Sequence, residues 1–116
     1  MNNNLVEILI AWVVSALAIL ATAYLLPGVH VTSFVTALVV AVVLGVINAF
    51  IKPILLILTL PINILTLGLF TFVINAVVIL LAANLVPGFT VDGFWWALGF
   101  SLVLSVINFF LHSLKR

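Results

Sequence analysis

The sequence predicts an all-α membrane protein with four transmembrane helices, built as two tandem helical hairpins in a parallel repeat. Three observations predict this fold: a very apolar composition, four apolar stretches of membrane length, and a duplication at an offset of 60 residues. Apolar residues make up 68% of the chain and charged residues 4%, far outside the range of soluble domains. We expect residues 1–116 to form a single transmembrane domain.

The four apolar stretches are each about as long as a membrane crossing requires. A helix needs roughly 20 residues to cross a hydrocarbon core of ~30 Å. The predicted spans are approximately residues 5–26, 34–51, 67–86 and 94–112. Residues 52–66 contain Pro53 and Pro61 and are too short for a further helical crossing. We interpret this segment as a kinked extension followed by an elbow.

The first and third spans are closed by the same loop sequence. Pro27 and Gly28 follow the first span, and Pro87 and Gly88 follow the third. Proline and glycine together are typical of turns. The residues after the two turns, 29–31 and 89–91, are candidates for a short two-stranded ladder. Ser33 and Asp92, further along the same loops, are candidate caps of the helices that follow.

The duplication extends beyond these turns without a gap. At the offset of 60 residues, Val46-Ile47-Asn48-Ala49-Phe50 aligns with Val106-Ile107-Asn108-Phe109-Phe110. The sequence therefore predicts two repeat units, residues 1–56 and 61–116. Each unit holds an even number of spans, so both units enter the membrane from the same face.

Positive charges predict the orientation of the chain. Lysine and arginine beside membrane spans favour the cytoplasmic side. With four spans, Lys52, Lys115 and Arg116 all fall on the side of the N-terminus, and the two opposite loops contain neither residue type. We expect a multi-pass protein of the bacterial cell (inner) membrane with both termini cytoplasmic. The three residues act as topology anchors, and the lipid bilayer is the principal partner.

Small and polar residues recur at helical spacing within the spans. In lipid, helices associate through close packing of small residues and through interhelical hydrogen bonds. Ala41 and Gly45 in the second span correspond to Ser101 and Ser105 in the fourth. These residues are predicted to lie on helix-packing faces directed towards the bundle axis.

Three asparagines lie in one repeated tripeptide, Val-Ile-Asn. They are Asn48, Asn75 and Asn108, and the predicted topology gives all three a similar membrane depth. We expect them to form one polar cluster that joins helices. The functional alternative is a hydrated path, because polar groups at membrane depth often mark pathways.

No arrangement of residues in the sequence predicts catalysis. There is no nucleophile with a base, no pair of carboxylates and no phosphate-binding glycine loop, so we predict a non-enzyme without cofactor or metal. Cysteine is absent, and a net charge of +1 gives no basic surface for nucleic acid. Glu7 is interpreted as a structural residue at a helix start, where the macrodipole favours a carboxylate. Its alternative role is proton coupling.

Four sequence segments together resemble the four-span membrane proteins of phage holin family 4. They are Leu26-Pro27-Gly28-Val29-His30-Val31, Val46-Ile47-Asn48-Ala49-Phe50-Ile51-Lys52-Pro53, Leu58-Thr59-Leu60-Pro61 and Leu65-Thr66-Leu67-Gly68. The resemblance covers nearly the whole chain. It implies membrane lesions formed by homo-oligomers, and it implies no catalytic residues.

Three functions follow from these observations. The first is holin-like permeabilisation of the membrane by oligomers, which the resemblance implies. The second is a structural or envelope-associated membrane protein that acts through an unidentified protein partner. The third, a small transporter or channel, is less favoured because the deeply placed polar groups are only amides and hydroxyls.

Overall fold

The computed structural model describes residues 3–115, and the side chains of residues 4–114. Helices make up 81% of it, which confirms the predicted helical class. In chain order the elements are α1 (Asn3–Leu25), β1 (Val29–Val31), α2 (Phe34–Val46), a π-helical turn (Ile47–Ile51), α3 (Lys52–Leu58), α4 (Leu60–Leu65), α5 (Phe70–Leu85), β2 (Phe89–Val91) and α6 (Phe94–Lys115). The predicted anchor Arg116 and the side chain of Lys115 lie outside the described part.

Three helical stretches are long and apolar enough to cross a membrane: Asn4–Leu25, Phe34–Leu58 and Phe94–Leu114. The fourth apolar helix, α5, has 16 residues and is therefore about 24 Å long. It begins three residues after the predicted start of the third span at residue 67. The reason is local, because Leu67 and Gly68 have positive φ angles of 60° and 89°, which no right-handed helix contains.

The second membrane-length helix continues past residue 51, where the sequence predicts that the span ends. It does so through the π-helical turn, in which the N–H of Lys52 donates to the carbonyl of Ile47, five residues earlier. Pro53 explains the local widening, because its ring clashes with the carbonyl four residues before it in a regular helix. The π turn moves that carbonyl away and lets the helix continue as α3. Residues 52–58 therefore form the predicted kinked extension.

An elbow then reverses the chain direction between α3 and α5. The short helix α4 ends where Gly68 N–H donates to Asn63 O at 2.7 Å and Leu67 N–H donates to Ile64 O at 3.1 Å. This pair of bonds, with Leu67 left-handed, is the Schellman arrangement that ends many helices. The Asn63 side chain also exchanges hydrogen bonds with the Thr71 hydroxyl, at 3.0 and 3.3 Å. These bonds hold α4 against the first turn of α5.

The two strands form the predicted ladder. They pair antiparallel, with Val29 opposite Val91, His30 opposite Thr90 and Val31 opposite Phe89. At its two ends, Thr32 N–H donates to Gly88 O at 3.1 Å and Asp92 N–H donates to Gly28 O at 2.8 Å. The ladder prediction is confirmed, and the predicted cap at Ser33 is confirmed by a bond from Thr36 N–H to its hydroxyl.

The long helices form a ring in which α1 contacts α2 and α6, and α5 contacts the same two helices. We call the end of this bundle that carries the strands the ladder end. We call the opposite end, with Glu7, the elbow and His112, the open end. No side chain among residues 4–15 of α1 or 102–114 of α6 is buried, whereas α2 and α5 bury side chains down to Ile47 and Ile74. The core therefore fills the ladder end and opens between α1 and α6.

Candidate functional site

A cleft of about 380 Å³ separates α1 from α6 at the open end. We call it the α1–α6 cleft. Four polar side chains line it: Glu7, Ser15, Asn108 and His112. Its remaining lining is apolar: Ile10, Ala11, Val14, Leu111 and Leu114. In a chain whose helices are otherwise covered by aliphatic side chains, this is a distinct group of polar residues at membrane depth.

The cleft extends from the middle of the bundle to its open end. Glu7 lies 18 residues from Leu25, the last residue of α1, so it is about 27 Å from the ladder end. Ser15 lies 10 residues from Leu25, at about 15 Å. Beyond Ser15 the buried side chains of Ile19 and Phe100 fill the bundle. Within one chain the cleft is therefore a dead end, open on one side only.

The imidazole of His112 is held by its own helix. Its Nδ1 lies 2.9 Å from the backbone carbonyl of Asn108, one turn earlier in α6. As the donor in that contact, Nδ1 carries the proton, and Nε2 is left as an acceptor. Together with the Glu7 carboxylate, the Ser15 hydroxyl and the Asn108 amide, the cleft offers both donors and acceptors. Water, a cation or polar side chains of another protein segment all match this chemistry.

No metal site is formed by the residues that the structure describes. No group of three histidine, cysteine, aspartate or glutamate side chains is close enough to hold an ion there. The cleft brings together one carboxylate and one imidazole, which is too few protein ligands for a structural metal site.

The structure separates the three predicted asparagines. Asn48 is exposed at the π turn, Asn75 is half-buried on α5, and Asn108 is half-buried in the α1–α6 cleft. In the described part of the chain, none of the hydrogen bonds joins two of them. Their union in one cluster stays a prediction, and we return to Asn48 and Asn108 below.

The predicted small residues differ in burial according to their distance from the ladder. Ser101 is buried, and its hydroxyl donates to Leu98 O at 2.8 Å. Ala41 is half-buried, and Gly45 and Ser105, further towards the open end, are exposed. A Cβ added at Gly45 would meet no atom within 4 Å. Each helix therefore uses its small residues for contact within the chain only near the ladder end.

The predicted loop turns lie at the ladder end, where they pack closely. A Cβ added at Gly28 would collide with the indole of Trp96. At Gly88, where φ is +89°, it would lie 2.6 Å from the Thr32 hydroxyl. Pro27 and Pro87 precede these glycines and are both exposed. The turns are therefore structural elements that join the two strands to the helices.

Sequence reasoning did not identify the pair formed by Glu7 and His112. The two residues are more than 100 positions apart, and Glu7 was interpreted as a helix-start residue. The informative signal was the topology: two hairpins closed into a ring make α1 and α6 neighbours, so the side chains at the two chain ends meet. The remaining described anchor, Lys52, lies half-buried at the start of α3, outside the cleft.

Comparison with known proteins identifies similar membrane proteins in bacteria. The sequence model of the family described as mycobacterial 4 TMS phage holin, superfamily IV, matches residues 6–110. The uncharacterized membrane protein YvlD of Bacillus subtilis is 34% identical over 110 residues, covering 90% of this chain and 92% of YvlD. The uncharacterized protein SCO3922 of Streptomyces coelicolor is 46% identical over 82 residues, covering 67% and 66%. No solved structure matches the chain significantly.

Proposed function

The chain belongs to the mycobacterial 4 TMS phage holin family of superfamily IV, and from that premise we propose that it permeabilises the bacterial inner membrane as a homo-oligomer. The observation that carries the proposal is the α1–α6 cleft. Polar groups at membrane depth are costly unless water or another polar group covers them. Copies assembled around their clefts would line a hydrated path that one chain alone does not contain.

The proposed architecture is four spans in two tandem hairpins related by a two-fold axis along the membrane normal. Its support is the ladder, in which His30 pairs with Thr90, the residue 60 positions later. An antiparallel pair of equivalent strands is what a two-fold axis requires. The closing bonds are equivalent in the same way, Thr32 to Gly88 and Asp92 to Gly28. The short helix α5 crosses by local thinning of the bilayer in this proposal.

In the proposed orientation, the open end and both termini face the cytoplasm. Lys52 supports it, because it lies at the open end and favours the cytoplasmic leaflet. The cleft then opens to the cytoplasm and ends near the middle of the membrane at Ser15. Ile19 and Phe100 separate it from the outer face in a single chain, so the monomer is closed in this proposal.

Permeabilisation is tested by measuring membrane potential with a voltage-sensitive dye during induced expression in a bacterium. We expect abrupt depolarisation, and we expect it to be lost in the double variant Ser15→Leu/Asn108→Leu, which removes two polar groups of the cleft. Asn84→Leu is the matched control, because Asn84 is exposed near the ladder end. A steady potential at verified membrane expression would contradict the proposal and would favour an envelope-associated protein that acts through partners.

A further inference from the structure

The exposed face of the π turn carries a polar surface that one chain leaves uncovered. Asn48 is exposed, about 21 Å from the start of α2 at Phe34. In the π-helical register its backbone carbonyl would accept from the N–H of residue 53, which is proline and has none. Asn48 therefore presents both a side-chain amide and a backbone acceptor towards the membrane, where unsatisfied polar groups are expensive.

Lys52 lies one turn further along the same helix. It belongs to α3, which packs against α5 and the elbow and has no contact with α1 or α6 in the described residues. The Lys52 ammonium and the Glu7 carboxylate are thus on different sides of the bundle. Asn48 and Lys52 together define a second polar surface, which we call the π-turn surface.

The π-turn surface and the α1–α6 cleft match in depth and in charge. Lys52 is 18 residues from Phe34, and Glu7 is 18 residues from Leu25, so both charges lie about 27 Å from the ladder end. Asn48 and Asn108 are each 14 residues from the start of their helices, so both lie at about 21 Å. Copies with one orientation in one bilayer meet only at equal depth. A cation therefore faces a carboxylate, and an amide faces an amide.

We propose that the π-turn surface of one copy inserts into the α1–α6 cleft of the next. Lys52 pairs with Glu7 of the neighbour, and Asn48 pairs with the neighbour's Asn108. This inference rests on the proposed self-assembly and identifies its interface. Because the two surfaces differ, the contact is heterologous, and each added copy presents a new free cleft and a new free π-turn surface. Such a contact builds rings or open arrays and sets no small limit on copy number.

The absence of cysteine from the sequence makes this contact directly testable by cross-linking. Full-length Glu7→Cys and Lys52→Cys chains, expressed together in one membrane and treated with a short thiol cross-linker, should give a covalent dimer. Each variant alone should give at least about tenfold less dimer, and the double variant should give a series of multimers. Ser33→Cys expressed with Glu7→Cys is the depth control, because Ser33 caps α2 at the ladder end, and it should give none.

Charge reversal tests the same contact without cysteine at the charged positions. Cross-linking between Asn48→Cys and Asn108→Cys chains should fall about tenfold when both also carry Glu7→Lys, and it should recover when both carry Glu7→Lys and Lys52→Glu. Equal dimer from Glu7→Cys alone would overturn the proposal in favour of cleft-to-cleft pairing. Absence of all cross-links at normal expression would overturn it outright.

The two proposals fail separately. Depolarisation without the mixed cross-link would retain permeabilisation and overturn this interface. The mixed cross-link with a steady potential would retain the interface and contradict permeabilisation.

Discussion

The ladder end and the open end of this bundle differ in how completely the helices bury one another. Phe89 and Phe100, with ring centroids 5.6 Å apart, are 1% and 0% exposed at the ladder end. Ile10 and Leu114, which line the cleft at the open end, are 56% and 82% exposed. The difference indicates that this small membrane protein secures its two hairpins at one end and leaves the other end available for contacts. Substitutions at the two ends should separate stability from function.

The largest effect is expected from Phe100→Ala at the ladder end. Removing a fully buried ring leaves a cavity, and we expect the free energy of unfolding to fall by about 3–5 kcal/mol. Unfolding of the purified protein in mixed micelles measures it. Phe109→Ala is the matched control, since Phe109 is 67% exposed in α6, and its effect should stay within about 0.5 kcal/mol. Equal losses in both variants would remove the distinction between the two ends.

Gly28→Ala tests the close packing of the ladder turn. The new methyl group would collide with the Trp96 indole, so we expect a loss of about 1–3 kcal/mol in the same assay. Gly99→Ala serves as the comparison, because a Cβ there meets nothing within 4 Å. If Gly28→Ala unfolds like the wild type, the turn is not packed as described.

Much of the ladder end could be predicted from the sequence, because its signals are local and repeated. The turns at Pro27 and Pro87 and the pairing of residues 29–31 with 89–91 followed from the duplication. The π turn did not follow, since Pro53 indicates only a disturbed helix, and the choice between a break and a wider turn depends on packing. The cleft required knowledge of which helices are neighbours, and no local pattern around Glu7 or His112 contains it.

Trp12→Phe tests the contact that joins α1 to α2 towards the open end. The Trp12 indole N–H donates to Leu38 O at 2.9 Å across the two helices. Its loss should cost about 0.5–1.5 kcal/mol of unfolding free energy. Trp95→Phe, at a ring that is 77% exposed, should cost less. The reverse order would show that α1 and α2 do not rely on this bond.

The smallest effect is expected at the elbow, and its sign is opposite. Leu67 has a φ of 60°, a backbone conformation that costs a residue with a Cβ about 1–2 kcal/mol. Leu67→Gly should therefore raise the unfolding free energy by up to about 1 kcal/mol. Leu69→Gly is the control, because Leu69 has a φ of −64° and gains nothing from glycine. A loss of stability in Leu67→Gly would mean that the exposed Leu67 side chain makes a stabilising contact.

The most direct test of the contrast between the two ends is the reactivity of single cysteines towards a charged, membrane-impermeant thiol reagent. Ser15→Cys lies at the inner end of the cleft, and Leu17→Cys lies at nearly the same depth on an exposed, apolar side of α1. Because the reactive thiolate forms in water and not in lipid, a hydrated cleft should make Ser15→Cys react at least about tenfold faster. Equal rates at the two positions would contradict a cleft that opens to water between α1 and α6.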